Sequence, residues 1–381
     1  MPSSHKEIVN LAAPHDLPFS SAVRAGGLVY VSGVVAVGAD GRALPGDITT
    51  QARAVLDRLA EILEAAGSSM AHAATVNVYL QRQQDFAALN EVYRQYWSTD
   101  PPTRTTVVSG LMLPGALVEV SAVGIPVGGD REVVHPGQWL RSPNPYSYGI
   151  RSGDTLFLAG MVPRDMRDNS SIGGDVSAQT RAVLDHLGEI LATAGMAHAD
   201  VVSARIFITE TSSARAMNDV YRTYFPADPP ARATVGAELM APDFRVEITT
   251  VAVKGAERQA VTTPNPDGSA GSRNPNLSSA IRVGNRLFLS GLLGIDEANR
   301  GDSGAQTRAT LGRLDRTLKA AGFDPADVVD SLVYLTDVPS FGVMNAAYRE
   351  VFSNDCPART TVCNPLLHPE GLVEIMSTAV R

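Results

Sequence analysis

The chain has 381 residues and a formal net charge of −8, and 44% of its residues are hydrophobic and 19% are charged. This balance is typical of globular domains with filled cores. The acidic charge argues against a nucleic-acid partner, because binding to a phosphate backbone requires clustered Lys and Arg.

The first third of the chain contains a clear series of secondary-structure patterns. Apolar residues from Ala52 to Ala66 fall at helical spacing, with Asp47 or Thr49 as the N-terminal cap and Gly67 as the C-terminal cap. In chain order we predict a hairpin over 23–32, a helix over 47–66, a strand over 74–80, a helix over 85–97 and strands over 104–112 and 117–125. We expect the last two strands to form a hairpin that turns near Pro114.

The same pattern occurs three times, with spacings of 128 and 127 residues between Arg104, Arg232 and Arg359. A period of this length is that of a whole domain, because solenoid and propeller repeats run about 20–50 residues. We therefore predict domains over 1–127, 143–255 and 273–381, joined by exposed linkers rich in Pro, Gly and polar residues over 128–142 and 255–272.

The order ββαβαββ in each repeat predicts an α+β unit with one mostly antiparallel sheet and two helices on one of its faces. The other face of each sheet needs a cover, and the sheets of the other two copies are available for it. We therefore expect a monomeric, single-chain pseudo-trimeric barrel with the long helices outside, and we leave further association open.

Several classes of site and location are disfavoured by the sequence. The two cysteines both lie in the third repeat and the seven histidines do not recur in register, so we expect no metal site and a reduced, cytoplasmic compartment. The first residues lack the apolar core of a signal peptide, and no apolar run is long enough to span a membrane. We therefore expect no membrane partner.

Short motifs in each repeat carry a resemblance to a known family. Residues 101–107 read Pro-Pro-Thr-Arg-Thr-Thr-Val, residues 117–120 read Leu-Val-Glu-Val, and Val-Ser-Gly lies upstream at 31–33. The third copy reads Pro-Ala-Arg-Thr-Thr-Val at 357–362 and Leu-Val-Glu-Ile at 372–375, and the second copy matches in part. This pattern resembles the RidA (YjgF/YER057c/UK114) family of reactive-imine deaminases over nearly the whole chain apart from the linkers.

That resemblance implies trimers of chorismate-mutase-like α+β units with clefts between subunits. It also implies hydrolysis of 2-imino acids and enamines, such as 2-aminoacrylate, to 2-oxo acids and ammonia without a cofactor. By position, the implied catalytic residues are carboxylate-clasping arginines and water-associated glutamates, namely Arg104, Arg232, Arg359, Glu119, Glu247 and Glu374. The implied substrate-binding residues are Ser32, Gly33, Ala159, Gly160, Ser290 and Gly291, the helix asparagines Asn90, Asn218 and Asn345, and Phe19, Tyr146 and Leu277 at the position of a cleft tyrosine.

The chemistry of these residue types agrees with that reaction. A guanidinium fork matches a carboxylate and fixes the plane of a 2-imino acid. A protonated imine carbon is already electrophilic, so a carboxylate that orients a water and accepts its proton suffices. An Arg and a Glu on neighbouring strands are more often a structural ion pair, but their recurrence in all three copies favours a functional reading.

The copies differ, so we expect three unequal clefts. In a hairpin that turns near Pro114, Arg104 would face residue 124 and lie ~15 Å from Glu119 along the sheet. We therefore expect each cleft to be built at a junction between repeats, with the first and third repeats also in contact.

The alternatives to a general imine deaminase are a repurposed enzyme of a specialised biosynthetic pathway and a non-catalytic metabolite-binding or chaperone-like protein. RNA cleavage is disfavoured by the acidic charge.

Overall fold

Each repeat folds into the predicted series of strands and helices, with one additional strand before it. The computed structural model describes residues 6–11, 17–255 and 257–381. Parts of the expected first domain and of the second linker, and most of the N-terminal segment in which a signal peptide would lie, are outside the described residues.

The elements of the first repeat are β1 (Lys6–Val9), β2 (Ala22–Ala25), β3 (Leu28–Val35), α1 (Ile48–Ala65), β4 (Ala73–Leu80), α2 (Phe86–Tyr96), β5 (Thr103–Val108), β6 (Gly110–Leu111) and β7 (Val118–Gly124). The second repeat contains β8 (Glu132–Val134), β9 (Gly149–Ser152), β10 (Thr155–Leu158), α3 (Val176–Thr193), β11 (Val201–Ile208), α4 (Ala214–Tyr224), β12 (Ala231–Gly236) and β13 (Val246–Val253). The third contains β14 (Arg258–Val261), β15 (Ala280–Val283), β16 (Arg286–Leu289), α5 (Ser303–Ala320), β17 (Val328–Leu335), α6 (Ser340–Arg349), β18 (Ala358–Cys363) and β19 (Val373–Val380).

The long first helix of each repeat begins and ends where its sequence predicts. The Asp47 carboxylate accepts a hydrogen bond from the Thr50 N–H at 2.9 Å, and Asp175 and Asp302 cap α3 and α5 in the same way. Gly67 follows α1 with φ of +72°, a left-handed conformation that glycine adopts without steric cost. The apolar stripe of α1 is buried against its own sheet.

The predicted closing hairpin is wrong. The first sheet has the strand order β1-β2-β3-β7-β4-β5, so β4 lies between the two strands that we expected to pair. β5 runs parallel to β4 because α2 forms a crossover between them, and β7 then pairs antiparallel on the other side of β4. Arg104 and Glu119 of one repeat are therefore separated by a whole strand.

The linkers are only partly exposed, contrary to the prediction. β8 pairs with β9, and β14 pairs with β15, so each linker adds an edge strand to the sheet of the following repeat. Val134 and Trp139 of the first linker and Val261 of the second are buried. The apolar side chains in these Pro- and Gly-rich segments explain the difference, because they have a sheet face to cover.

Side chains from all three sheets pack together on the faces that the helices leave uncovered. The set recurs with the sequence period and consists of Tyr79, Phe207 and Tyr334 with Val107, Val235 and Val362. The predicted α+β class is confirmed. The predicted closed barrel is not found among the described residues: three open sheets are present, of orders β1-β2-β3-β7-β4-β5, β12-β11-β13-β10-β9-β8 and β14-β15-β16-β19-β17-β18-β6. Within the described ranges, no helix is long and apolar enough to cross a membrane.

Candidate active site

An arginine from one repeat meets a glutamate from the next at three junctions. Arg104 and Glu247 line one cavity, and Arg359 and Glu119 line another. In the third case the charge of Arg232 lowers the pKa of Glu374, against a larger opposing effect of burial. We call these the Arg104, Arg359 and Arg232 clefts.

Backbone hydrogen bonds hold the repeats together at each cleft. The Gly160 N–H donates to the Arg104 carbonyl at 3.0 Å, and the Gly291 N–H donates to the Arg232 carbonyl at 3.1 Å. At the remaining junction the Ser20 N–H donates to the Pro357 carbonyl at 3.1 Å. The first and third repeats are therefore in contact, as the first and second and the second and third are.

The serines of the expected Ser-Gly pairs are engaged with backbone groups. Ser32 Oγ accepts from the Arg359 N–H at 2.8 Å, and Ser290 Oγ accepts from the Arg232 N–H at 2.7 Å. Each hydroxyl also donates to a carbonyl of its own repeat. Ala159 has no hydroxyl, so the Arg104 cleft lacks this connection. Each of these serines therefore connects its own repeat to the arginine-bearing strand of the neighbouring repeat.

The glycines of the same pairs make room for the glutamates. A Cβ built on Gly33 would overlap Oε1 of Glu119, and Gly160 and Gly291 have the same relation to Glu247 and Glu374. β3 pairs with β7 and places Val35 opposite Glu119. Gly33 precedes Val35 by two residues on the same strand, so it is a close neighbour of the Glu119 side chain. Only glycine leaves the space that the carboxyl group occupies.

The three glutamates are buried, and burial raises the pKa of each to about 8. Backbone N–H groups of Thr361 and Thr106 counteract part of this effect at Glu119 and Glu247. The arginine of the neighbouring repeat also lowers the pKa at each cleft. The carboxyl groups therefore titrate close to neutral pH, which suits a group that exchanges protons.

Each arginine is buried and lies over a tyrosine ring of its own repeat. The distances from Cζ to the ring centroid are 4.8 Å for Arg104 over Tyr93, 4.7 Å for Arg232 over Tyr221 and 4.8 Å for Arg359 over Tyr348. Such cation–π contacts fix the plane of a guanidinium without using its N–H donors. The recurrence of these tyrosines was visible in the sequence, but their place beneath the arginines was not.

Guanidinium donors in all three clefts lack partners among the described residues. The unpartnered buried atoms are Arg104 Nη1, Arg232 Nε and Nη1, and Arg359 Nε. The hydroxyls of Thr106, Thr234 and Thr361 are also buried and unpartnered. An unsatisfied buried donor is costly, so the clefts favour a ligand that brings acceptor oxygens.

The expected asparagines are arranged differently in the three clefts. Asn345 Oδ1 accepts from Arg359 Nη2 at 2.6 Å. Asn90 instead donates to Asn144 of the next repeat at 3.1 Å, and Asn218 Oδ1 has no partner among the described residues. The common sequence position therefore does not give a common contact.

The position of the expected cleft tyrosine also differs. The Phe19 ring lies 5.3 Å from Arg359 Cζ and the Tyr146 ring 5.8 Å from Arg104 Cζ, whereas Leu277 lines an outer crevice with Phe225. Phe86 and Phe341 add a further ring to the Arg104 and Arg359 clefts, at 5.5 and 5.9 Å. The corresponding residue of the second repeat is Ala214, so the sequence contains no threefold recurrence that would mark this position.

A recurring glutamine positions each glutamate strand and was also missed as a site element. Gln51 is buried in α1, and its Oε1 accepts from the Leu117 N–H at 2.8 Å, two residues before Glu119. Gln179 and Gln306 make the equivalent bonds to the N–H groups of Arg245 and Leu372, also at 2.8 Å. Repetition of the glutamine in all three repeats was the available signal.

Among the described residues, no group of three or more His, Cys, Asp or Glu could hold a metal ion.

Comparison with known proteins shows the family to which the chain belongs. The family model described as Endoribonuclease L-PSP matches three times, over residues 11–125, 138–254 and 271–381. The chain therefore belongs to this family, and the predicted membership of the RidA family, in three tandem copies, is confirmed.

Individual relatives match either one repeat or, in one solved structure, most of the chain. A RutC family protein of Sulfurisphaera tokodaii is 40% identical over 111 residues, which are 29% of this chain and 89% of that protein. A RutC family protein of Saccharolobus solfataricus is 32% identical over 124 residues, which are 32% of this chain and 98% of that protein. The crystal structure of a chorismatase matches 81% of this chain and 93% of its own, with a TM-score of 0.53 and 16% identity, and this likeness concerns the fold alone.

Proposed function

We propose that this protein hydrolyses small imines or enamines that bear a carboxylate, giving a 2-oxo acid and ammonia, in clefts between its repeats. One observation supports this most: a buried arginine with unpartnered donors from one repeat meets a buried glutamate from the next. The arginine can bind the substrate carboxylate, and the glutamate can orient the attacking water. Membership of the RidA family supports the same reaction class.

The reaction needs only groups that the clefts contain. The arginine holds the substrate carboxylate by charge-assisted hydrogen bonds, and the stacked tyrosine keeps the guanidinium in plane. The glutamate, as a carboxylate, orients a water and accepts one of its protons while the oxygen bonds to the imine carbon. Attack on the protonated imine gives a neutral amino alcohol. The glutamic acid then donates its proton to the nitrogen, the C–N bond breaks, ammonia leaves, and the hydroxyl proton passes back to the glutamate as the carbonyl of the 2-oxo acid forms.

We extend the proposal to the whole chain. The repeats, with boundaries at 1–127, 143–255 and 273–381, act as a monomeric, covalent counterpart of a trimer. The contacts of each repeat with both others support this arrangement. Fusion allows each cleft to vary alone, which a trimer of identical subunits does not allow, and so favours a specialised substrate.

Ammonia release tests the reaction. A 2-imino acid is generated in solution by an amino acid oxidase, and the rate of ammonia release is measured with and without the protein. We expect the protein to raise the rate above the uncatalysed value, and the triple variant E119Q/E247Q/E374Q to lose about 100-fold or more of that increase, because general base catalysis contributes about 10²–10⁴-fold. The wild-type rate should rise with pH through about 8 as the glutamates ionise.

A non-catalytic metabolite-binding protein is the alternative outcome. It would bind 2-oxo acids through the arginines and leave the rate of ammonia release at the uncatalysed value. That result would reject the hydrolase and retain the carboxylate site.

A further inference from the structure

The Arg104 and Arg359 clefts share their charged groups but differ severalfold in size. The cavity at Arg359 and Glu119 has a volume of about 390 Å³, and the cavity at Arg104 and Glu247 has a volume of about 50 Å³. Both contain the glycine, the threonine and the aromatic rings around the arginine. The difference must therefore lie in the outer walls.

Two substitutions between the repeats explain the small volume of the Arg104 cleft. Three residues before the glutamate, the second repeat has Phe244 where the first has Ala116. Four residues after the glycine, it has Arg164 where the first has Val37. Phe244 and Arg164 both line the Arg104 cavity, and Val37 lines the Arg359 cavity at the position that corresponds to Arg164.

Phe244 and Arg164 also hold each other in place. The Arg164 guanidinium lies 5.5 Å from the centroid of the Phe244 ring, and its Nη1 donates to the Asn169 carbonyl at 2.8 Å. The Phe244 ring is 3% exposed. A buried ring covered by an anchored guanidinium is a fixed wall, and opening the cleft would break these contacts.

The walls of the Arg359 cleft are apolar and only half-buried. The side chains that carry this surface are Leu17, Phe19, Val35, Val37, Met112 and Phe341. The polar groups Arg359, Glu119 and Thr361 line the same cavity. An apolar wall beside a carboxylate-binding group is suited to an amphipathic ligand whose hydrocarbon portion covers the exposed apolar surface.

We infer that the Arg359 cleft takes 2-imino acids with a bulky apolar side chain, and that Phe244 and Arg164 exclude such substrates from the Arg104 cleft. The inference rests on the proposed function and names the substrate class of one of its sites. The substrate carboxylate binds Arg359, the imine carbon lies near Glu119, and a branched or aryl side chain contacts Phe19, Val37 and Met112. The Arg232 cleft is a poorer candidate because Ala214 and Leu277 replace two of its aromatic residues.

Binding of stable 2-oxo acids tests the inference without turnover. Pyruvate and 4-methyl-2-oxopentanoate are titrated into the full-length protein by calorimetry. We expect the longer acid to bind about tenfold more tightly or better, because each well-packed methylene contributes severalfold in affinity. Val37→Arg should remove this preference by copying the wall of the Arg104 cleft, and Phe244→Ala should add binding capacity for the longer acid.

Two controls keep the result interpretable. Val127→Arg makes the same chemical change at an exposed surface position and should leave both affinities unchanged. Thermal unfolding identifies any variant that fails to fold, and in that case Ala116→Phe replaces Val37→Arg.

The arginine substitutions identify the cleft that binds the longer acid. Arg359→Ala should abolish tight binding of the longer acid, whereas Arg104→Ala should not.

Equal affinities for the two acids in the wild type would overturn the inference, as would a preference that survives both Val37→Arg and Ala116→Phe. The proposed function fails separately, if the predicted binding preferences hold but no imine is hydrolysed. Conversely, hydrolysis with no preference for bulky side chains would retain the proposed function and reject this inference.

Discussion

The Arg232 and Arg359 clefts have the same charged groups in different surroundings. Both arginines lie over a tyrosine, at 4.7 and 4.8 Å, and both face a glutamate of the next repeat whose pKa is about 8. Arg359 has two further rings, Phe341 and Phe19, where the Arg232 cleft has Ala214 and Leu277.

The difference shows which parts of a cleft were free to diverge. The arginine and the glutamate belong to strands whose register the cores of the repeats fix, and the glycine is required by the glutamate itself. The aromatic residues come from the start of the second helix and from the loop before the hairpin. These positions contribute less to the sheets, so a fused chain can change them in one cleft at a time.

We expect the largest effect from removing the arginine that all three clefts share. The triple variant R104A/R232A/R359A should lose turnover of carboxylate-bearing imines almost completely, because each cleft loses charge-assisted contacts of about 1.5–3 kcal/mol. Ammonia release from an enzymatically generated 2-imino acid measures the loss. A variant that keeps the wild-type rate would show that the arginines do not bind the substrate.

Single substitutions should separate the two clefts. Arg359→Ala should reduce turnover of a bulky apolar 2-imino acid by about tenfold or more, and Arg232→Ala should change it by less than about twofold. The reason is that, of these two clefts, only the Arg359 cleft retains its additional aromatic residues. The two substitutions are matched in chemistry and burial, with 2% and 3% exposure. Equal losses would contradict the idea that the surrounding rings decide which cleft works.

The glutamates should make stability depend on pH. The folded-state pKa of about 8 lies above the ordinary glutamate pKa of 4.5, so the folded protein binds protons more tightly than the unfolded chain does. Their contribution to stability is therefore complete below about pH 4.5 and is lost as the pH rises through 8, by on the order of 1 kcal/mol or more per glutamate. Chemical denaturation of wild type and E119Q/E247Q/E374Q between pH 5 and 9 measures this, and parallel curves would contradict it.

The smallest expected effect concerns the serines at two of the junctions. Ser290→Ala and Ser32→Ala should each lower the free energy of unfolding by about 1–2 kcal/mol, because a buried backbone N–H of Arg232 or Arg359 loses its acceptor. The Arg104 cleft already has Ala159 at this position and provides the natural comparison. A loss of turnover without a loss of stability would instead assign the hydroxyls to substrate binding.

The sequence predicted the repeats, the helices and the recurring arginines and glutamates, because each depends on a local pattern or on exact recurrence. It failed where strands that follow each other in the chain are not neighbours in the sheet. The α2 crossover places β5 beyond β4, and only tertiary packing specifies that order. The expected hairpin was therefore wrong.

The walls of the clefts could not be predicted for a related reason. Phe244 and Arg164 are far apart in the chain and come into contact only in the fold. Phe86 and Phe341 do not recur in the second repeat, so repetition gave no signal for them. Gln51, Gln179 and Gln306 did recur, but their bonds to the strand of the glutamate depend on the packing of the helix on its sheet.

The central claim is that each site combines an arginine of one repeat with a glutamate of the next. Its most direct test is the rate of imine hydrolysis by pairs of chains that each retain one arginine and one glutamate, the others being replaced by Ala and Gln. A chain that retains Arg359 and Glu119 should be active, and a chain that retains Arg359 and Glu374 should not be. Equivalent pairs retain Arg104 with Glu247 or Glu119, and Arg232 with Glu374 or Glu247. Activity in the chains whose two residues come from one repeat, equal to that of the junction chains, would contradict the account.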